Sequence, residues 1–419
     1  MKSSVFLWMI LFFLTIGGYT QEDESSFSAG GYIRTLFFGT KPNAPGTVHE
    51  LFLSSANRLA FETQFLSSSW EFHLNADFDF IFSNSMNETD FRLIWGKKQR
   101  NQPIPSLYYN INQDGLFQIN LKRAFVKYQG ESLIAVIGRQ TVSWGEGRLL
   151  NPLNLITPVS SFALDIEDVS GADCFYFQWY WNEFDSVQFV ALPYARENKS
   201  VFQSMNAEDV NLFIRTKITA DTTDLVFLAG RQFHSLVFGA EANMGIGDAS
   251  LRFSYLGRRE EEKVFDHMTA HQIAAGGSYA FFGGKLRSSL EFFFNSAPWQ
   301  KNEIYLQALE NETLISSGFA GSLLEDASFF LSSGKIITRN PFLMEASFGY
   351  QISELLDSEF FLLFDPKGKS LYLSPVLTYN LSDEAVWTLG GGFYLNQKNS
   401  DSEFQGANAF FYTYLKWYF

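Results

Sequence analysis

Cysteine is almost absent from this chain: one, Cys174, stands among 419 residues. A single thiol excludes an internal disulfide framework and a cysteine-rich metal site. It leaves Cys174 to serve as a small apolar side chain on a strand. Basic charge is short as well. Lys and Arg number 31 against 45 Asp and Glu, a net charge of -14. That argues against a nucleic-acid partner, since nucleic-acid binders carry basic patches. No long apolar run occurs beyond residue 20, and mean hydropathy is only -0.06. An ordinary helical membrane protein is thereby excluded. Catalytic signatures are missing too. The five His residues form no His-Glu-x-x-His arrangement, no Gly-x-Ser-x-Gly elbow occurs, and no motif asks for a cofactor.

Aromatic residues are what the chain does have: 17% of the total, with 46 Phe. High aromatic content with neutral hydropathy and no spanning helix suits strands in which only every second residue is apolar. Residues 69–83 show this best. Trp70, Phe72, Leu74, Ala76, Phe78, Phe80 and Phe82 fall on one face of an extended chain, and Glu71, His73, Asn75, Asp77 and Asp79 on the other. Period two kept over so many apolar residues excludes a helix, and the run is longer than a usual soluble strand.

The same reading along the chain gives about eighteen strands of roughly ten residues each, from 28–37 to 408–419. Connections alternate in length. Long ones cover 38–56, 83–116, 141–171, 196–208, 258–269, 296–341 and 397–407; short ones include 67–68, 245–248 and 282–284. Long and short therefore segregate to opposite ends. The expected fold is all-β: a single antiparallel transmembrane β-barrel over 21–419, of about 16 to 18 strands with eighteen favoured. The run Gly390-Gly391-Gly392 inside one strand marks a bulge or a close approach by a loop.

The last strand closes on Ala409 to Phe419 (AFFYTYLKWYF). Phe411, Leu415, Trp417 and Phe419 share one face; Tyr412, Tyr414, Lys416 and Tyr418 share the other. This resembles the closing strand of bacterial outer-membrane β-barrels. The resemblance implies that Phe411, Leu415, Trp417 and Phe419 are read by the barrel-assembly machinery, and that outer-membrane lipid surrounds the barrel. The N-terminus agrees. Lys2, the apolar Val5 to Ile16, and small Gly17, Gly18 and Thr20 read as a signal peptide over 1–20; an N-terminal anchor is the alternative.

Gly138-Arg139-Gln140, three residues, then Trp144-Gly145, followed by Asn151-Pro152, opens connection 141–171. This stretch is similar to a motif of porin-like barrels of the alginate-export and organic-solute type. Leu149, Leu150, Leu153, Leu155 and Ile156 are too apolar for a loop in water, and suggest a segment folded back into the lumen. Arg139, Glu146, Arg148, Asp165, Glu167 and Asp168 would then line the narrowest part of the path. The alternative is a loop that caps the mouth.

With the apolar register outward, Glu71, His73, Asp77, Asp79, Arg215, Lys217, Arg252, Arg287 and Glu291 face the lumen. Either they set a transverse field acting on solutes, or they pair locally and satisfy one another. No metal site is expected, and no lipid-facing strand stands out as a subunit interface. The function expected is a channel for small polar or charged solutes, gated by size and charge. A barrel that anchors surface loops for adhesion or assembly is the second reading, and an outer-membrane hydrolase the third.

Overall fold

The structure is a computed structural model that describes residues 25–40, 51–84, 107–110, 115–147, 150–157, 171–193, 210–232, 235–264, 267–298, 338–395, 402–404 and 409–419. The expected signal peptide lies outside the described residues. Nineteen strands are described. The first ten are β1 (Ser25–Thr40), β2 (Phe52–Ser67), β3 (Trp70–Ser83), β4 (Leu107–Asn110), β5 (Gly115–Gln129), β6 (Leu133–Gln140), β7 (Ala172–Tyr180), β8 (Ser186–Pro193), β9 (Val210–Ala220) and β10 (Thr223–Gln232). They are followed by β11 (Ser235–Ile246), β12 (Ala249–Val264), β13 (His267–Phe281), β14 (Leu286–Asn295), β15 (Phe342–Gln351), β16 (Leu356–Asp365), β17 (Ser370–Asn380), β18 (Ala385–Leu395) and β19 (Phe410–Tyr418).

All but β4 form one closed antiparallel ring, in which each strand pairs with its neighbours in sequence and β1 pairs with β19. The ring thus has the eighteen strands that the alternation predicts. The sequence gives no hint of β4. This short strand pairs with β5 over Leu107↔Ile119 to Asn110↔Leu116. That stretch of β5 extends past β6, whose pairing with β5 ends at Ala124↔Arg139. β4 thereby covers an edge whose backbone donors would otherwise lack partners.

Alternation decides which face each residue takes. Ile33, Phe37, Phe61, Phe72, Phe80, Phe227, Phe292, Phe348, Leu415 and Trp417 are exposed, while the residues between them, such as Leu36, Ala60, Asp79, Glu291 and Ser347, are buried. A closed sheet that exposes its apolar row and buries its polar row is the inverse of a soluble barrel and suits lipid outside. Trp179, Trp181, Trp387, Trp417 and Phe419 are among the exposed aromatics, and the Trp387 indole donates to the Thr413 hydroxyl (2.9 Å).

Short turns occupy one end of the ring, the inner end. Ser68, Asp221 and Phe282 take left-handed backbone there (φ 50°, 55° and 53°), as tight hairpin turns require. In the turn between β7 and β8, the Asp185 carboxylate accepts from the Thr219 amide and the Asn182 side chain, both at 2.7 Å. The Thr219 amide first, and Asn182 second, hold this carboxyl below its ordinary range. The opposite, outer end carries the long connections, but 233–234, 265–266 and 366–369 are short there too. The expected connection 258–269 is mostly strand: β12 and β13 continue their ladder through Arg259↔Thr269 and, after an irregularity, Val264↔His267. A charged run reads as a loop, yet charge does not prevent pairing where the strands stand clear of lipid.

The glycine run in β18 is approached by side chains of the neighbouring strand β19 and not by a loop. A Cβ on Gly392 would sit 2.3 Å from the Phe410 ring, and one on Gly390 2.4 Å from the Tyr412 ring. Both rings therefore lie flat against β18 on the inner face.

Candidate functional site

Residues 141–147 leave β6 and, with 150–157, fold into a compact unit. The Asn151 side chain donates to the Trp144 carbonyl (2.8 Å) and accepts from the Leu153 amide (3.1 Å). The Thr157 hydroxyl donates to the Val142 carbonyl (2.8 Å). These bonds turn the apolar side chains of the segment to one flank. There Val142, Trp144, Leu153, Leu155 and Ile156 are buried with Cys174, Val190, Phe213, Leu228, Val237 and Leu256, inner-face residues of β7 to β12. Polar contacts fix the register. The Trp144 indole donates to the Gln188 side chain (2.9 Å), and the Gln232 amide donates to the Leu155 carbonyl (3.1 Å). Leu150 joins a second cluster with Ala274, Phe293, Leu343, Leu363 and Tyr372 of β13 to β17 and with Phe404. The segment thus contacts the inner faces of both groups of strands.

The backbone of Glu146 bridges two wall charges. Its amide donates to Glu241 (3.2 Å), and its carbonyl accepts from Arg252 (2.9 Å). Arg252 also contacts Glu291 at 2.5 Å, two strands away. The residue between them in the lateral row is Gly276, where a Cβ would meet the Glu291 side chain at 2.7 Å. Only a residue without a side chain lets this pair close over β13.

A second cluster lies on β2, β3 and β5. Arg58 holds Asp79 by two hydrogen bonds (2.6 and 3.1 Å) and reaches Asp77 at 3.2 Å. Lys122 also contacts Asp77 (3.2 Å), and Asn120 donates to Asp79 (3.1 Å). Nearer the inner end, Glu71 accepts from Gln64 (2.8 Å) and pairs with Lys127 (3.3 Å). His73 stacks on Phe125 at 4.8 Å, with Glu62 3.3 Å from Nε2. Lys217 pairs with Asp224 (2.8 Å), and Arg287 stands 3.5 Å from Asp357. Across the ring closure, Lys416, Arg34 and Arg58 lie side by side in one row.

The structure brings the sequence-derived residues together unevenly. Asp77 with Asp79, Glu71 with His73, and Arg252 with Glu291 are neighbours, each matched by local counter-charge. Arg215 lies on β9 among the charges of Glu241, Glu146 and Asp224. Arg139 is held in the wall: its guanidinium makes two bonds to Asp173 (2.7 and 2.8 Å) and one to the Leu121 carbonyl (2.8 Å), and it is 2% exposed. Arg148, Asp165, Glu167 and Asp168 lie outside the described residues. Arg34, Arg58, Lys122, Glu241, Arg258 and Glu345 are inner-face charges that the sequence inventory missed. Alternation with Ile33, Leu59, Ala240 and Met344 marks their face, but their strands carry weaker apolar rows than β3. Among the described residues no three His, Cys, Asp or Glu side chains gather to hold a metal ion.

No protein-family model matches the chain, and no curated protein matches it. Solved structures do match. The outer membrane protein OpdK of Pseudomonas aeruginosa superposes with a TM-score of 0.55 at 11% identity, over 94% of this chain and 98% of that one. OccAB4 of Acinetobacter baumannii gives 0.55 at 9%, again over 94% and 98%. OccK2 of Pseudomonas aeruginosa, solved in complex with glucuronate, gives 0.52 at 8% over the same shares, and OpdK has also been solved with vanillate. At such identities the likeness is one of fold, and it covers nearly the whole of both chains.

Proposed function

We propose that this chain is an outer-membrane channel through which small polar or charged solutes diffuse, with no chemical step. One observation carries the reading: a closed ring of eighteen strands exposes an apolar face and turns charged side chains inward around the segment 141–157. A ring of this size is wide enough for an aqueous interior. Selection by size then falls to residues 141–157, and selection by charge to the inner-face ionisable groups. Asp77 and Asp79 are each paired with a cation, Arg58 or Lys122. The adjacent pair Lys416 and Arg34, beside an Arg58 whose charge is matched by Asp77 and Asp79, favours negatively charged solutes. Vanillate and glucuronate, bound by two of the structural neighbours, are both carboxylates, and small organic carboxylates are the solute class favoured here.

Single-channel recording on refolded protein in a planar bilayer tests this reading. Stable conductance steps, with a reversal potential that shows anion preference in a salt gradient, are expected. A correctly folded barrel that inserts and stays electrically silent would contradict it.

A further inference from the structure

The outward face is not uniformly flat. A groove of about 670 Å³ opens on it near the outer end of β13 to β16. Its walls are Ile273, Ala275, Phe292, Phe294, Phe342 and Met344, which alternate with the inner-face residues Ala274, Phe293 and Leu343. Ala275 lies opposite Phe292 and Ile273 opposite Phe294, and the small Ala275 side chain leaves the depth. Pro341 and Pro366 stand at the mouth, with Lys367 as the one cation lining it.

The mouth is held in shape from inside. The buried Asp365 carboxylate accepts from the Gly368 amide (2.9 Å), the Ser370 hydroxyl (3.3 Å) and the Asn340 side chain (2.7 Å). These bonds fix the turn 366–369 on which Lys367 sits exposed, with no ion-pair partner among the described residues. Lys369, two residues on, is exposed as well. The level is polar elsewhere too: on β12 and β13 the outward Tyr255 hydroxyl meets His271 at 2.8 Å, one outward position beyond Ile273. An apolar trough that ends at a fixed cation, at the height where outward residues turn polar, has the polarity of one lipid molecule: chain below, anionic headgroup above.

We propose that this groove is a lipid-binding site, which seats one acyl chain of a phosphorylated lipid with its phosphate against Lys367. The proposal rests on the barrel spanning an outer membrane, but not on its conducting solutes. Pro366 and Asp365 keep the turn preorganised, so seating the headgroup costs little ordering of the protein. A lipid held here also covers the exposed rings of Phe292 and Phe342.

Native mass spectrometry of the detergent-purified full chain, titrated with bis-phosphorylated lipid A, tests it. The wild type is expected to retain one lipid per chain. Lys367→Gln is expected to weaken retention about fivefold, the effect of one basic group at a membrane surface. Ala275→Phe, which fills the trough, is expected to abolish retention. Heat-modifiable electrophoretic mobility shows that each variant is folded. Equal retention by both folded variants, or equal binding of a phosphate-free glycolipid with the same chains, would overturn the site. Lipid retention by a barrel that never conducts would sink the channel reading and leave the lipid site standing. Failure of the folded chain to enter bilayers would remove the ground from both.

Discussion

Gly31 and Phe419 exchange both backbone hydrogen bonds, amide to carbonyl in each direction, at 3.0 Å. The last residue of the chain thereby completes the ladder between β19 and β1, while its ring stands on the exposed face. Deleting Phe419 removes both bonds and the ring; Phe419→Ala removes only the ring. The deletion is expected to lower the yield of heat-modifiable, folded barrel more than the substitution does. Equal yields would show that the side chain, not the ladder, governs closure.

Asp79 lies opposite Arg58 in the β2–β3 register, and both are largely buried. Asp79→Asn leaves Arg58 one full charge short, and about 3 kcal/mol of destabilisation is expected from breaking a buried pair. Urea unfolding of vesicle-embedded protein reads this. Arg58→Met combined with Asp79→Leu is expected to recover most of the loss, since it removes both charges together.

Trp144 fixes residues 141–157 to β8 through one hydrogen bond to Gln188. Trp144→Phe keeps most of the packing against Phe213 and orphans the Gln188 carbonyl, at a cost of about 1–3 kcal/mol. The expected result is larger open-channel current noise at unchanged barrel stability. Gln188→Leu in the same background is expected to quieten it again.

Glu403 ties the outer segments 338–340 and 402–404 together. Its carboxylate accepts from the amides of Arg339 (2.8 Å) and Asn340 (2.9 Å). Burial above all, with the nearby Asp365 charge, pushes its carboxyl from 4.5 up to about 7, against those two backbone donors. A raised acid pKa means the closed segment prefers the proton. Its contribution is therefore full below pH 4.5, declines as pH rises toward 7, and is level above. Amide protection factors at Arg339 and Asn340 are expected to fall between pH 5 and pH 8, by about 3 kcal/mol at most. Glu403→Gln is expected to flatten that slope; an unchanged slope would assign the effect to another group.

Strand positions were legible because lipid on one side and water on the other force period two onto every spanning segment, most plainly in β3. Charge partners were not. Alternation tells which face a side chain takes, not what lies beside it. The pairing of Arg58 with Asp79 needs the β2–β3 register, and that of Arg252 with Glu291 needs Gly276 between them. Arg139 misled for a related reason. It sits where β6 ends and strict alternation breaks, with Gly138 at φ 123°, so its side chain turns to Asp173 and the Leu121 carbonyl. β4 was hidden because four residues carry too little pattern to stand out within a long connection. The apolar residues Leu150, Leu153, Leu155 and Ile156 were the readable part of the site, since a loop in water has no use for them.

Conductance of the wild type against a variant shortened between Gly145 and Thr157 tests the central claim most directly. Both are refolded, shown to be heat-modifiable, and recorded in the same bilayer and salt. The account predicts stable steps from the wild type and clearly larger steps from the shortened chain, because the deleted residues include Leu150, Leu153, Leu155 and Ile156, which pack against the inner faces of the strands. Equal conductance from the two folded proteins would contradict it.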